Sequence, residues 1–194
     1  MRYPEGHKAS TRERIVATAA RLFRVHGFAA VGIDRLMAAA GLTRGGFYNH
    51  FRSKAALLEA VLEGRHGLLE KLRARPDGTA EALREQALTI LKAYVEPANR
   101  SEILQGCSLA ALAAECRRAE PAVQAAYARV LRALVAELLR GQRATPADEA
   151  AALAVLTQCI GAVSLGGAVA ADAALAGQLA DGARRAAEAW SGGA

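Results

Sequence analysis

The sequence of 194 residues has little of what β-structure needs. Aromatic residues make up 5% of it, and no stretch alternates apolar with polar side chains. A sandwich or barrel, which draws on β-branched and aromatic residues at a period of two, is excluded. Proline is scarce, at five residues, so helices can run on without breaks. Three cysteines, an odd number without metal-ligand spacing, make neither a disulfide framework nor a zinc site. Cys107 and Cys116 would lie on opposite sides of one helix, too far round to pair. Free thiols in a cytoplasmic setting are the expectation. The opening residues hold no apolar run of signal-peptide length, which points the same way. Catalytic signatures are missing too: no P-loop, no Rossmann glycine pattern, no HExxH and no GxSxG occurs. His7, His26, His50 and His66 share no base or metal arrangement. No enzyme activity, cofactor or metal is expected, and a helical enzyme stands only as an alternative.

What is present is alanine and charge of uneven sign. Hydrophobic residues are 53% and charged residues 23%, the balance of a chain that folds, and alanine favours helix. The chain is long enough to bury a core without staples. Its net charge of +6 is not spread evenly: residues 1–75 carry +8 and residues 76–194 carry −2. Residues 1–55 alone carry +7. A basic head on a near-neutral body suggests a nucleic-acid partner for the head.

Helical periodicity and punctuation divide the chain into about nine helices, over 10–26, 33–40, 44–51, 54–75, 79–96, 101–118, 121–140, 145–170 and 172–190. Gly27, Gly41 and Gly141 are placed to end helices; Ser10 or Thr11, Thr43, Ser53 and Asp172 are placed to cap them, and Thr79 and Thr145-Pro146 to begin them. The turn Pro76-Asp77-Gly78 is the expected seam between head and body. The 22 residues between Glu149 and Asp172 carry no formal charge, a length that could span a bilayer. They are mostly small, include Thr157, Gln158 and Ser164, and have acids rather than Lys/Arg or aromatic belts at their ends. A buried helix is expected there, with no membrane partner.

Two short helices joined by Gly41-Leu42-Thr43 have the layout of a helix-turn-helix, with Gly41 supplying the positive φ of the turn. The second helix of such a unit enters the major groove, and its first residues meet base edges. Arg44 stands there and can address guanine or phosphate. Gly45 and Gly46 are poor helix formers, which suggests a close approach of backbone to DNA. Lys54, opening the next helix, can meet a phosphate. Phe47 and Phe51, four apart, read as core.

The run from Gly41-Leu42-Thr43-Arg44-Gly45-Gly46-Phe47-Tyr48-Asn49-His50-Phe51 through Arg52-Ser53-Lys54 to Leu58 resembles the DNA-binding domain of the TetR family of transcriptional regulators. The resemblance begins in the first helix, at Arg14-Ile15-Val16 and Ala19-Ala20-Arg21-Leu22-Phe23, and covers about residues 10–62. It implies an all-α protein with a three-helix head (1–53) and a helical ligand-binding and dimerisation body (54–194). It implies a homodimer on a palindromic double-stranded DNA operator, usually a repressor, released by a small molecule. By position, Thr43, Arg44, Gly45, Tyr48, Asn49, His50 and Lys54 match the family's DNA-contacting places. Tyr48, His50 and Lys54 would hold phosphates; Arg44, Gly45 and Asn49 would choose bases. Gly32 stands where the family usually has a capping Ser or Thr, so a phosphate contact is not expected there. An interaction protein without DNA binding is the other alternative, and the intact stretch from Arg44 to Lys54 speaks against it.

In the body, small residues crowd the last two helices: Gly161, Ser164, Gly166 and Gly167, then Ala173, Ala174, Ala176, Ala180, Ala183, Ala186 and Ala187. The resemblance implies that this face, over about 146–190, meets its copy in a four-helix bundle. Leu62, His66, Leu69, Tyr94, Leu104, Cys107, Leu112, Cys116 and Tyr127 are the candidates to line a pocket for an apolar inducer. Cys107, after Gly106 near the start of the helix expected over 101–118, is a candidate redox sensor, because a helix start favours a reactive thiolate.

Overall fold

The computed structural model describes residues 5–64, 67–99 and 107–192, with side chains from residue 9 onward. Among these residues there are ten α-helices, a single 3-10 turn at Pro97–Asn99 and no strand. The helices are α1 (Glu5–His26), α2 (Ile33–Ala39), α3 (Arg44–Phe47), α4 (Lys54–Glu63), α5 (Gly67–Arg73), α6 (Ala80–Val95), α7 (Ser108–Cys116), α8 (Pro121–Leu138), α9 (Pro146–Ala168) and α10 (Ala173–Gly192).

Several of the caps expected from sequence are made, but two are not: Thr43 makes no side-chain cap bond, and α1 already begins at Glu5, which puts Ser10 and Thr11 inside the helix. Ser53 Oγ accepts from Ala56 N at 3.0 Å and Thr79 Oγ1 from Ala82 N at 3.2 Å. Thr145 and Asp148 form a reciprocal capping box at the start of α9. Asp172 accepts from Leu175 N at 3.0 Å at the start of α10.

Three stretches differ from expectation. The helix expected over 54–75 is two helices: α4 stops at Glu63, and Gly64 turns extended (φ −73°, ψ −157°). Gly64 and Gly67 each cost a helix about 1 kcal/mol relative to Ala, which is enough to favour a break there. The recognition segment is helical only over Arg44–Phe47. Beyond it the bonds tighten to three-residue spacing, His50 N to Phe47 O (2.9 Å) and Asn49 N to Gly46 O (3.3 Å), as two glycines leave too little propensity for a regular turn. The helix expected over 101–118 is described from Ser108, with Cys107 as its N-cap; residues 101–106 lie outside the described residues.

Two apolar cores hold the helices together. One joins α1–α4: Ile15, Phe23, Leu36, Phe47 and Leu58 are essentially inaccessible. It does not end at α4, because Leu112 and Cys116 of α7 and Val123 and Ala126 of α8 belong to it. The other fills the body between α5, α6, α8, α9 and α10, around Leu72, Leu91, Leu134, Leu156 and Cys159. Cys107 and Cys116, at the two ends of α7, fall into different cores.

α9 is long and apolar enough to cross a membrane by length and composition. Here one side of it, from Ala152 through Val155, Leu156, Cys159 and Val163 to Gly166, packs into the body core. Its other side leaves Leu153 and Leu165 exposed, so it is covered on one face and not all round.

Arg75 was not anticipated as a core residue. Its side chain is 2% exposed. Nε donates to Leu72 O (2.7 Å), Nη1 to Leu83 O (2.6 Å) and Nη2 to the Glu137 carbonyl, with the Glu137 carboxylate 3.6 Å away. One guanidinium thus ties the end of α5 to α6 and α8. Replacing it takes a donor from three carbonyls at once, although the Glu137 carboxylate keeps Arg73 and Arg140 nearby. Arg75→Met is expected to cost about 3 kcal/mol, lowering the melting temperature by about 6–12 °C for a chain of this size. An unchanged thermal midpoint would refute the role.

Candidate nucleic-acid interface

The α2–turn–α3 unit is set by a few backbone constraints. Gly32 caps α2 with extended backbone and no side-chain bond, as its lack of a hydroxyl dictates. Gly41 takes φ +66°, and Leu42 N then reaches back to Met37 O at 2.9 Å. Thr43, extended at the start of α3, makes no side-chain cap bond.

From there the side chains sort by face. Phe47 and Phe51 are buried, their ring centroids 5.8 Å apart, with the Arg12 guanidinium 4.9 Å above Phe51. Tyr48 lies 59% exposed, its ring edge-on to Phe47. Arg44, Gly45 and Asn49 are exposed, and Thr43 is too. His50 is half-buried beneath this face. A Cβ at Gly45 would meet no described atom within 4 Å, and one at Gly46 only Met37 Cε at 3.7 Å and Thr43 Oγ1 at 3.8 Å. Nothing inside the described chain therefore requires glycine at either place, and the backbone there faces outward without side chains.

Lys54 is more constrained than its sequence position implies. Its ammonium sits 4.3 Å from the Phe28 ring centroid and donates to Ala29 O at 3.5 Å. Burial pulls its pKa below the ordinary lysine value. Arg44 is engaged as well: Nη1 donates to Asp34 Oδ2 at 2.9 Å, across from the first turn of α2. That ion pair carries no signal in sequence spacing.

The described residues expected to line a pocket are divided between the two cores. Leu62, Leu112 and Cys116 are buried in the core around α1–α4; Leu69, Tyr94 and Cys107 are buried in the body core. Tyr127 packs against both and donates to Leu109 O at 2.8 Å. His66 and Leu104 lie outside the described residues. Open clefts occur elsewhere. One of about 760 Å³ lies between α8 and α9, along Leu131, Val135, Leu139, Ala150 and Leu153. Another of about 740 Å³ lies between α1 and α4, along Arg12, Val16, Arg24 and Val61. The four-residue spacing of Leu131, Val135 and Leu139 was the available signal for the first.

Tyr94 donates to Cys107 Sγ at 3.2 Å, and Arg24 of α1 donates to Ser108 Oγ at 3.2 Å. Burial, with the Cys107 sulfur beside it, pushes the Tyr94 hydroxyl well above its ordinary range. Burial also pushes the Cys159 thiol up to about 12 and, with Glu115 adding to it, the Cys116 thiol up to about 11. Both are protonated at neutral pH.

The small residues of α9 and α10 divide in a way the sequence reading did not foresee. Gly166, Ala176, Ala180, Ala183 and Ala187 are buried within the chain, where α10 packs against its neighbours. Ser164 Oγ donates to Ala110 O. The faces left open carry Leu153, Leu165 and Leu175.

Residues 15–61 match the family model described as bacterial regulatory proteins, tetR family. The chain is 36% identical over 97 residues to the uncharacterized HTH-type transcriptional regulator TtgW of Pseudomonas putida, covering 48% of this chain and 72% of that protein. The chain belongs to the TetR family of transcriptional regulators. Its all-helical body fits the same conclusion. The HTH-type transcriptional repressor NemR of Escherichia coli is 30% identical over 109 residues, 54% of this chain and 53% of NemR. The crystal structure of reduced NemR shares the fold, with a TM-score of 0.73 at 21% identity over 92% of this chain and 95% of that one. A TetR regulator from Chloroflexus aurantiacus gives 0.67 at 26% identity, over 93% and 94% of the two chains. Several other curated relatives are matched over half of their length or less.

Proposed function

We propose that this TetR-family regulator is a repressor that binds a palindromic operator as a homodimer in the cytoplasm. Residues 1–53 are the reading head and 54–194 the regulatory and dimerisation body. The observation that carries this is the outward face of the helix-turn-helix. Arg44, Tyr48 and Asn49 stand exposed around two side-chain-free glycines, with Lys54 beside them. Residues 1–55, which contain this unit, carry +7, while the whole chain nets +6. Tyr48, His50 and Lys54 take phosphates, Thr43 closes the turn beside them, and Arg44, Gly45 and Asn49 meet base edges.

The second copy docks on the open faces of α9 and α10. Leu153, Leu165 and Leu175 are exposed, and the surface of α9 has no formal charge from Ala150 onward. An apolar surface of this kind favours cover by another chain. Release follows from a small apolar molecule taken up by the body or from modification of Cys107. Support for the thiol comes from its neighbours: a change at its sulfur breaks the Tyr94 bond and disturbs the start of α7, where Arg24 of α1 is attached.

Titration of the full chain against DNA from beside its own gene tests the reading. Binding is expected to fall steeply with salt, because several phosphates are neutralised. Tyr48→Phe and Lys54→Ala should weaken binding to all sequences alike, whereas Arg44→Ala should also relax sequence choice, by roughly tenfold at one base. Leu165→Glu should halve the sedimenting mass and reduce operator affinity by about 30-fold or more. Salt-insensitive binding, or a chain that stays monomeric throughout, would contradict the proposal.

The thiol route has its own test. Diamide or hypochlorite is expected to release DNA from the wild type and to leave Cys107→Ser bound. Equal release from both proteins would remove Cys107 from the mechanism.

A further inference from the structure

The ion pair between Asp34 and Arg44 is the least expected feature of the DNA-facing surface. Asp34 is the only acid among residues 14–58, a stretch that includes the whole helix-turn-helix. Its carboxylate lies 2.9 Å from Arg44 Nη1, and the two side chains are 67% and 66% exposed. A pair so open to water adds little to stability. A fixed anion on a surface meant for phosphates weakens sequence-independent attraction. Stability and bulk electrostatics therefore both fail to explain it.

Its geometry offers another explanation. Gly45 and Gly46 remove the side chains that would otherwise follow Arg44 on the recognition segment. Arg44 is thus the long polar side chain at the start of α3, reaching out alone from that end. An unrestrained arginine samples many rotamers and settles on any nearby phosphate. Tethered through one nitrogen, it still has free N–H groups on the rest of its fork, in a nearly fixed direction. We infer that Asp34 is a specificity-determining positioning residue: it holds the Arg44 guanidinium toward a base edge and cancels its pull on phosphates. This inference rests on the DNA-binding reading above. Asp34 also suits the first turn of α2, where Gly32 supplies no side-chain cap, so a purely structural role must be separated by experiment.

The full-length protein and its variants are used to select sites from a randomised duplex library, and binding to a fixed unrelated duplex is titrated against salt. Wild type is expected to enrich a palindromic motif. Asp34→Ala should enrich the same motif with preference relaxed about tenfold at the base pair that Arg44→Ala also relaxes. Its binding to the unrelated duplex should tighten, and the log–log salt slope should steepen by about one phosphate contact. In an Arg44→Ala background, Asp34→Ala should leave base preference unchanged. Asp34→Asn keeps an acceptor for the first turn of α2 but loses the charge that tethers Arg44, so it should relax preference at the same base pair; a variant that keeps full preference while Asp34→Ala loses it assigns Asp34 to the helix alone and overturns the inference.

The outcomes separate the two readings. No motif enriched by wild type overturns DNA reading and this inference together. A wild-type motif that Asp34→Ala and Asp34→Asn reproduce at full preference overturns the inference alone. So does weakening that is uniform across sequences, or a preference change that persists without Arg44.

Discussion

The apolar core around α1–α4 is closed by residues that come from the body. Phe23, Leu58 and Leu62 share this core with Leu112 and Cys116 of α7 and Val123 and Ala126 of α8. A small head buries too little surface to be comfortable alone, and here the missing surface comes from the helices that also bound the second core. The orientation of the helix-turn-helix is therefore set by packing against α7 and α8. Polar links follow the same seam: Arg24 of α1 reaches Ser108 at the start of α7, and Arg129 of α8 pairs with Glu63 at the end of α4. Close-packed interiors move between discrete arrangements and do not deform smoothly. Whatever repacks α7 or α8 must then move α1 and α4.

The body core is built differently. It is pinned by Arg75, whose buried guanidinium satisfies carbonyls of three segments at once. Removing it is costly because the groups it serves cannot reach water. The two cores meet at α7 and α8, where Tyr127 packs against both. Cys107, with Tyr94 on its sulfur, lies next to this junction and one residue from the Arg24 contact. That placement gives a thiol in the body a short physical route to the DNA-facing helices.

Much of this was legible because it depends on local chemistry. Gly41 needs a positive φ, Ser53, Thr79, Thr145 and Asp172 cap the helices they precede, and Phe47 and Phe51 go inward. The exposed residues of the helix-turn-helix were legible as a run with a familiar pattern. What could not be read depends on contacts between distant segments. The break at Gly64 needed two glycines to outweigh a leucine-rich periodicity on both sides. Arg75 looked like a surface charge until three carbonyls converged on it. Four α10 alanines named for a subunit face, Ala176, Ala180, Ala183 and Ala187, are buried within the chain, while Ala173 and Ala174 stay exposed, because composition does not say which side of a small-residue helix turns inward. The Asp34–Arg44 pair spans a turn whose geometry sequence spacing does not encode.

The central claim is that head and body share one core, so a disturbance in the body reaches the DNA-facing helices. Amide hydrogen exchange on the full-length chain carrying Val123→Ala tests it most directly. Val123 is fully buried on α8, far in sequence from the head, and the core it belongs to includes none of the residues assigned to DNA. The account predicts faster exchange in α1 and α4 as well as around residue 123, because the cavity opens into the core they share. Faster exchange confined to α7 and α8, with α1 and α4 protected as in the wild type, would contradict it.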